Sequence, residues 1–353
     1  MQIIKDLVEL NGVSGSEEQV ANYIKQKISD YTDEVYTDAL GNLIAFKKGK
    51  SSNVNIMLSA HMDEVGFIVT GYTDTGLIKF RNVGGVDERI LPGKTVLVGD
   101  NKIPGVISAK AIHLQERDEF SSNWKMKNLF IDIGSEKKDE AEKLAPLGEY
   151  ICFNSSYQEL GTECVKAKAL DDRVGCAILV EALKGTYEFN LYACFTVQEE
   201  LGLRGAEVAA FRVKPDIGIV FEGTTCSDVP ETEKHQHSTR LGKGAVLTVI
   251  DRTAYSDRIL VNYIYNLAKA KNIPVQFKET ATGGNDAGKI QRTGKGVKVA
   301  VISVPCRYIH SPVSLMSKKD YESSKNLALL ILENLSSNLD NMDKILKGVE
   351  VNV

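Results

Sequence analysis

The feature that most restricts the fold is a change of texture along the chain. From about Gly66 to Cys164, short apolar runs (GFIVTGY, GLIKF, KTVLVG, IPGVISA and LFIDIG) recur at intervals of roughly ten residues, separated by Gly, Asp or Asn turns. That rhythm belongs to a small β-barrel or sandwich, and only SEKKDEAEKLA offers a helix within it. The flanking regions read differently. Residues 2–9 and 16–29 carry helical apolar spacing, with Ser14 or Ser16 ahead of Glu17 and Glu18 as a helix start. NLIAFKK and VNIMLSAH read as strands, and the near-continuous apolar run of the second suits a strand covered on both faces. After Leu170, helices near 172–184, 205–211, 257–270 and 317–336 alternate with the strands LYACFTV, DIGIVFE, AVLTVI and VKVAVISV. The expected organisation is one α/β domain built from both ends of the chain, residues 1–65 and 165–353, interrupted by a β-rich insert at 66–164.

Composition narrows the function classes. The 353 residues are 43% hydrophobic and 25% charged, as a globular chain of about two domains should be. Forty-three basic against 47 acidic residues give a net charge of −4, and no dense Lys/Arg tract is present, so a nucleic-acid partner is not expected. The N-terminus has acidic residues inside its apolar pattern, unlike a signal peptide, and no stretch approaches about 18 uncharged apolar residues, so neither export nor membrane association is expected. Cys152, Cys164, Cys176, Cys194, Cys226 and Cys306 form no CxxC pair, and some lie in apolar runs such as GCAILV. They read as reduced core residues of a cytoplasmic protein. None has a neighbouring His to activate it as a nucleophile.

Polar side chains able to bind metal follow the apolar strands at separate places: His61 and Asp63 in SAHMDE, Glu199 and Glu200 in FTVQEE, Glu222 in IVFEG, and His310 in RYIH. In an open α/β sheet the carboxyl ends of the strands line the ligand crevice, so groups distant in sequence can converge there. Histidines with carboxylates, and no thiolate, suit zinc, cobalt or manganese, and an Asp from LDDR would allow two ions to be bridged. Two such ions about 4 Å apart can hold a hydroxide and polarise an amide carbonyl, while one nearby carboxylate stays free to shuttle a proton. Residues 61 and 63 face the same side of an extended segment, so Asp63 can orient the imidazole.

Plainer readings exist for each residue. His61 alone could be a hydrogen-bonded strand end, and either Asp171 or Asp172 could be a helix N-cap, though only one can cap. Glu199 and Glu200 could be a solvated strand end whose side chains diverge if extended. His235 and His237 in EKHQHST make an HxH pair, but their polar surroundings indicate an exposed loop. GGNDAG at 283–288 lacks the Lys-Ser/Thr ending of a phosphate loop and reads as a turn in which Asn285 or Asp286 starts a helix.

In order, AHMDEVGF, ALDDRVG, VQEELGLRGA, FEGTT and RYIHSP resemble the tetrahedral aminopeptidase family, also described as glutamyl aminopeptidase or cellulase-M-like, over essentially the whole chain. The resemblance implies a three-layer α/β catalytic domain, with a mixed central sheet flanked by helices, and an inserted small β-barrel used for dimer contact. It also implies assembly of dimers into a tetrahedral dodecamer that admits short peptides. Carried onto this sequence, His61, Asp171 and Glu222 hold one metal, and Asp171, Glu200 and His310 hold the other. Glu199 is the general base and Asp63 steadies His61. The same resemblance implies a cis peptide between Asp171 and Asp172. Two positions depart from the family pattern. Glu222 stands where Asp is common, so its longer arm either reaches the metal from a retracted backbone or changes affinity there. Asn285 replaces the usual Thr, which bears on the substrate pocket. The expected activity is two-metal aminopeptidase hydrolysis. The alternatives are an amino-acid deacylase, an endoglucanase using carboxylates about 5 to 10 Å apart, and a non-enzymatic binding module.

Overall fold

The computed structural model describes residues 1–51, 53–117 and 122–351. Four parallel strands form the centre of the large sheet: β1 (Asn55–His61), β2 (Asn190–Thr196), β3 (Ile217–Thr225) and β4 (Lys298–Arg307), in the spatial order β2-β1-β3-β4. Antiparallel strands extend it on both sides to eleven among the described residues, which makes the sheet mixed.

Alternation along the strands shows why three layers form. Ile56, Leu58 and Ala60 of β1, with Ile217, Ile219 and Phe221 of β3, pack into one core under the helices Gln2–Glu9, Glu18–Ile28, α1 (Leu170–Leu183), Arg258–Ala270 and Lys318–Ser337. Met57 and Val220, pointing the other way, meet Ala206, Ala209 and Ala210 of the helix Arg204–Val213 and Ile290 of the short helix Ala287–Ile290. A strand buried on both faces reads as a continuous apolar run, which is the pattern of VNIMLSA.

The insert is a closed barrel. Its strands run in the order Gly66–Tyr72, Ile78–Val83, Phe130–Asp132, Ile103–Ser108, Thr95–Val98 and Tyr150–Phe153. Phe67 meets Phe80 and Phe153 edge-on in its core, with centroids 5.1 and 5.2 Å apart. Gln158–Leu160, inside the expected insert, and Cys164–Ala167, which crosses the 164/165 division, belong to the edge of the large sheet instead.

Some local expectations shift. The second helix starts at Glu18 with Glu17 at its N-cap, because Ser14 is engaged elsewhere. A closing helix, Leu339–Lys347, follows the one expected at 317–336. His235 lies in a short 3-10 turn, Lys234–Gln236, exposed as the polar context indicated, whereas His237 is half-buried with its Nε2 3.2 Å from Thr232 Oγ1, and among the described residues neither joins a metal-binding group. All six cysteines are unpaired, five of them buried. Among the described residues no helix is long and apolar enough to cross a membrane.

Candidate metal centre

The polar groups stand at one edge of the sheet because parallel strands end together. In the β1–β2 register Thr196 lies opposite His61, so the chain leaving β2 carries Glu199 and Glu200 past the imidazole. Glu222 comes from β3, and His310 from the turn after β4. Asp171 enters from the start of α1. A Cβ at Gly223 would come within 2.8 Å of the Asp171 Cα, so glycine directly after Glu222 lets that backbone close in. Left-handed backbone at Ala169, Gln198, Tyr308 and His310 (φ 52 to 62°) surrounds the same point, a cost that persists where neighbouring structure fixes functional side chains.

All seven residues expected from the sequence come together. His61 Nε2 lies 3.3 Å from Asp171 Oδ1, 3.5 Å from Glu222 Oε2 and 3.9 Å from Glu199 Oε2. His310 Nε2 lies 3.3 Å from Glu200 Oε1 and 3.7 Å from Asp171 Oδ2. The two oxygens of Asp171 therefore face different imidazoles. Two donor sets have all ligand atoms within 4.8 Å of one another: His61 with Glu199 and Glu222, and His61 with Asp171 and Glu200.

The roles of the two aspartates separate clearly. Asp172 accepts from the backbone N–H groups of Gly175 (2.9 Å) and His61 (3.2 Å), so it serves as the cap. Asp171 Oδ1 and Glu222 Oε1 are buried and make no hydrogen bond. The Asp171–Asp172 peptide is cis.

Asp63 does more than face His61, whose Nδ1 lies 3.1 Å from its carbonyl oxygen and 3.4 Å from its carboxylate. That carboxylate also accepts from Ser14 Oγ (2.6 Å) and from the amides of Glu199 (3.0 Å) and Glu200 (3.1 Å). The adjacent amide, Gln198 N, donates to buried Glu17 at 3.1 Å. This clamp turns Glu199 and Glu200 into the crevice, where an extended pair would have diverged. Sequence reading missed Ser14 and Glu17 because nothing local links them to residues about 180 positions away.

The electrostatics describe a site short of positive charge. Burial, then like-charged neighbours, push Glu222 up to about 8 and hold Glu199 and Glu200 well above the usual carboxylate range. Burial alone would lower His61, but the surrounding carboxylates outweigh it and hold the imidazole well above 6.5. Burial would raise Asp63, yet His61, Ser14 and the Glu199 amide keep it below its ordinary value. Several buried carboxylates around two imidazoles, with Asp171 Oδ1 and Glu222 Oε1 lacking a hydrogen bond, make a nitrogen-and-oxygen donor set that fits divalent cations such as zinc, cobalt or manganese.

A cavity of about 390 Å³ opens on this centre, lined by Asp171, Glu199, Glu222, His310, Lys278 and Asn285 among others. Lys278 donates to the Thr282 carbonyl at 2.7 Å. Asn285 accepts from Ala287 N and donates to Asp251, which starts the short helix as expected. Asp286 turns inward to Thr196 Oγ1 at 2.6 Å.

Residues 41–327 match the M42 glutamyl aminopeptidase family. The chain belongs to that family. A lysyl aminopeptidase of Pyrococcus furiosus is 31% identical over 345 residues, 95% of this chain and 97% of that one. Among solved structures, a TET aminopeptidase from a marine sediment archaeon, Thaumarchaeota archaeon SCGC AB-539-E09, superposes with a TM-score of 0.92 at 34% identity, covering 97% of this chain and 98% of its own. The Pyrococcus horikoshii TET1 peptidase, described as able to assemble into a tetrahedron or a large octahedral shell, gives 0.84 at 35% identity over 94% of this chain and 98% of its own. For this M42 member the reaction class is therefore aminopeptidase hydrolysis, and the three-layer domain with its barrel is the fold those neighbours share.

Proposed function

We propose that this M42 member is a metal-dependent aminopeptidase that removes N-terminal residues from short peptides using two divalent cations, zinc or cobalt, with manganese a further candidate. His61, Asp171 and Glu222 would hold one ion, and Asp171, Glu200 and His310 the other. The observation that carries this reading is Asp171, whose two oxygens face His61 at 3.3 Å and His310 at 3.7 Å while Oδ1 lacks a hydrogen bond in a buried position. When bound, the ions supply Lewis acidity toward the scissile carbonyl and the attacking water.

The chain's own residues do the rest. Glu199 Oε2 lies 3.9 Å from His61 Nε2, farther than the oxygens of Asp171 and Glu222, and it is the carboxylate left over once His61, Asp171 and Glu222 are assigned to one ion and Asp171, Glu200 and His310 to the other. It accepts the proton of the attacking water and returns it to the leaving amine. Asp63 keeps Glu199 aimed by holding its backbone amide. The acidic wall suits the substrate's free ammonium. Lys278, which among the described residues donates only to the Thr282 carbonyl, suits an acidic side chain on the N-terminal residue.

We further propose residues 1–65 and 165–353 as the peptidase unit, with Gln158–Leu160 and Cys164 completing the edge of its sheet, the barrel within 66–164 as the dimerisation unit, and dimers as the building block of a tetrahedral dodecamer. The tetrahedron described for the Pyrococcus horikoshii peptidase supports this assembly. Six unpaired cysteines fit work in the reducing cytoplasm.

The test is a panel of amino-acid amides, free peptides, N-acylated peptides and β-glucans, offered to chelated protein and to protein reloaded with zinc, cobalt or manganese. Cleavage of amides and free peptides alone, and only after reloading, is the expected result. Preferential release of the acyl group would establish a deacylase, and β-glucan hydrolysis an endoglucanase.

A further inference from the structure

A second cavity, about 660 Å³, lies between the barrel and the large sheet. Ile90, Lys94 and Thr95 of the barrel form one wall, and Lys166 with the turn from Tyr308 to Val313 forms the other. Ile309 and His310 line both cavities, so the two spaces adjoin at this turn, where the His310 side chain is 40% exposed.

The two spaces differ in charge. The smaller gathers Asp171, Glu199 and Glu222. The larger presents two ammonium groups. Lys166 donates only to neutral oxygens, the Ser156 carbonyl at 3.3 Å and Gln158 Oε1 at 3.4 Å. Lys94 is exposed and has no ion-pair partner among the described residues. The one carboxylate on that wall, Asp87, is already engaged by Arg89 at 2.5 Å.

A linear peptide has matching polarity: an ammonium at the end to be cleaved and a carboxylate at the other. Resting on the aminopeptidase reading, we infer that the larger cavity receives the peptide beyond the scissile bond and that Lys94 and Lys166 bind its free C-terminal carboxylate. Each extended residue spans at most about 3.6 Å, and 660 Å³ falls within the range of about 300–1,000 Å³ that encloses a small ligand, so the cavity seats a few residues. A longer chain carries its carboxylate past both lysines. The substrate class is therefore short peptides with an unblocked C-terminus.

The experiment uses the full-length, metal-loaded protein and compares kcat/KM for the tripeptide Glu-Ala-Ala with that for its C-terminal amide. Two partly exposed ion pairs give a preference for the acid of about fivefold at low salt, seen mainly in KM. The ratio falls toward one at high ionic strength and in the double variant Lys94→Met/Lys166→Met. Equal values for acid and amide in the unaltered protein, or a preference that survives in the double variant, overturn the inference. If the double variant does not fold, Lys94→Met alone, at an exposed position, and the salt series on the unaltered protein decide the matter by the same ratio. Glutamyl p-nitroanilide separates the two readings. If it is hydrolysed while acid and amide are equal, only this inference fails, whereas loss of all three substrates removes the aminopeptidase reading as well.

Discussion

Replacing Glu17 by Gln isolates one electrostatic cost of building this site. Glu17 is 6% exposed, and its Oε1 accepts from Gly15 N at 2.8 Å and Gln198 N at 3.1 Å. Burial first, and the Asp63 charge second, raise its pKa from 4.5 to about 7. The sign follows from proton counts. Between those two values the folded chain binds more protons than the unfolded one, so stability falls as pH rises through the window and is level above it. A shift from 4.5 to about 7, at 1.36 kcal/mol per unit, amounts to about 3 kcal/mol of destabilisation above pH 7 and less than about 1 kcal/mol at pH 5. Gln carries no charge, and its amide oxygen can accept the same two hydrogen bonds. Urea unfolding of metal-loaded protein is therefore expected to show Glu17→Gln more stable by about 3 kcal/mol at pH 8.5, with most of that gain absent at pH 5. A gain that is equal at the two pH values, or absent at pH 8.5, would refute the assignment of a buried, costly carboxylate beside the Gln198 amide.

Other outcomes follow from the same geometry. Glu199→Gln is expected to keep its metal content while turnover falls by about 10²–10⁴, measured by metal analysis and steady-state kinetics; full activity in that variant would remove Glu199 as the base. His310→Ala should lower metal stoichiometry at one of two positions, and an unchanged stoichiometry would take His310 off the ligand list. Lys278→Met should abolish any preference for glutamyl over leucyl p-nitroanilide while leaving the leucyl compound a substrate. A preference that persists in this variant would mean that Lys278 does not read the side chain.

Much of this arrangement is legible in the sequence because its causes are local. The turn rhythm read from Gly66 to Cys164 announces the barrel, whose strands end at Phe153, because Gly, Asp and Asn supply the reversals between short strands. His61, Glu222 and the Glu199–Glu200 pair stand out because polar groups directly after apolar strands are unusual unless something neutralises them. What the sequence conceals is long-range. The clamp of Asp63 on the Glu199 and Glu200 amides joins residues about 136 apart, and the Ser14 hydroxyl that looked like a helix cap is spent on that same carboxylate. Lys278 sits in an unremarkable QFKET segment, and only folding carries it to the cavity beside Glu222. The strands Glu34–Thr37 and Val275–Phe277 are short and half exposed, so they lack the apolar signal that marks β1. The division between Asp171 and Asp172 likewise depends on which carboxylate meets the Gly175 amide, a fact of three-dimensional placement.

The central claim is that Asp171 is shared between two cations. Anomalous diffraction at the zinc edge, on crystals of the zinc-loaded protein, tests it most directly. The account predicts two peaks about 3.5–4 Å apart on either side of the Asp171 carboxylate, one beside His61 and one beside His310. A single peak, or peaks remote from those two imidazoles, would contradict it.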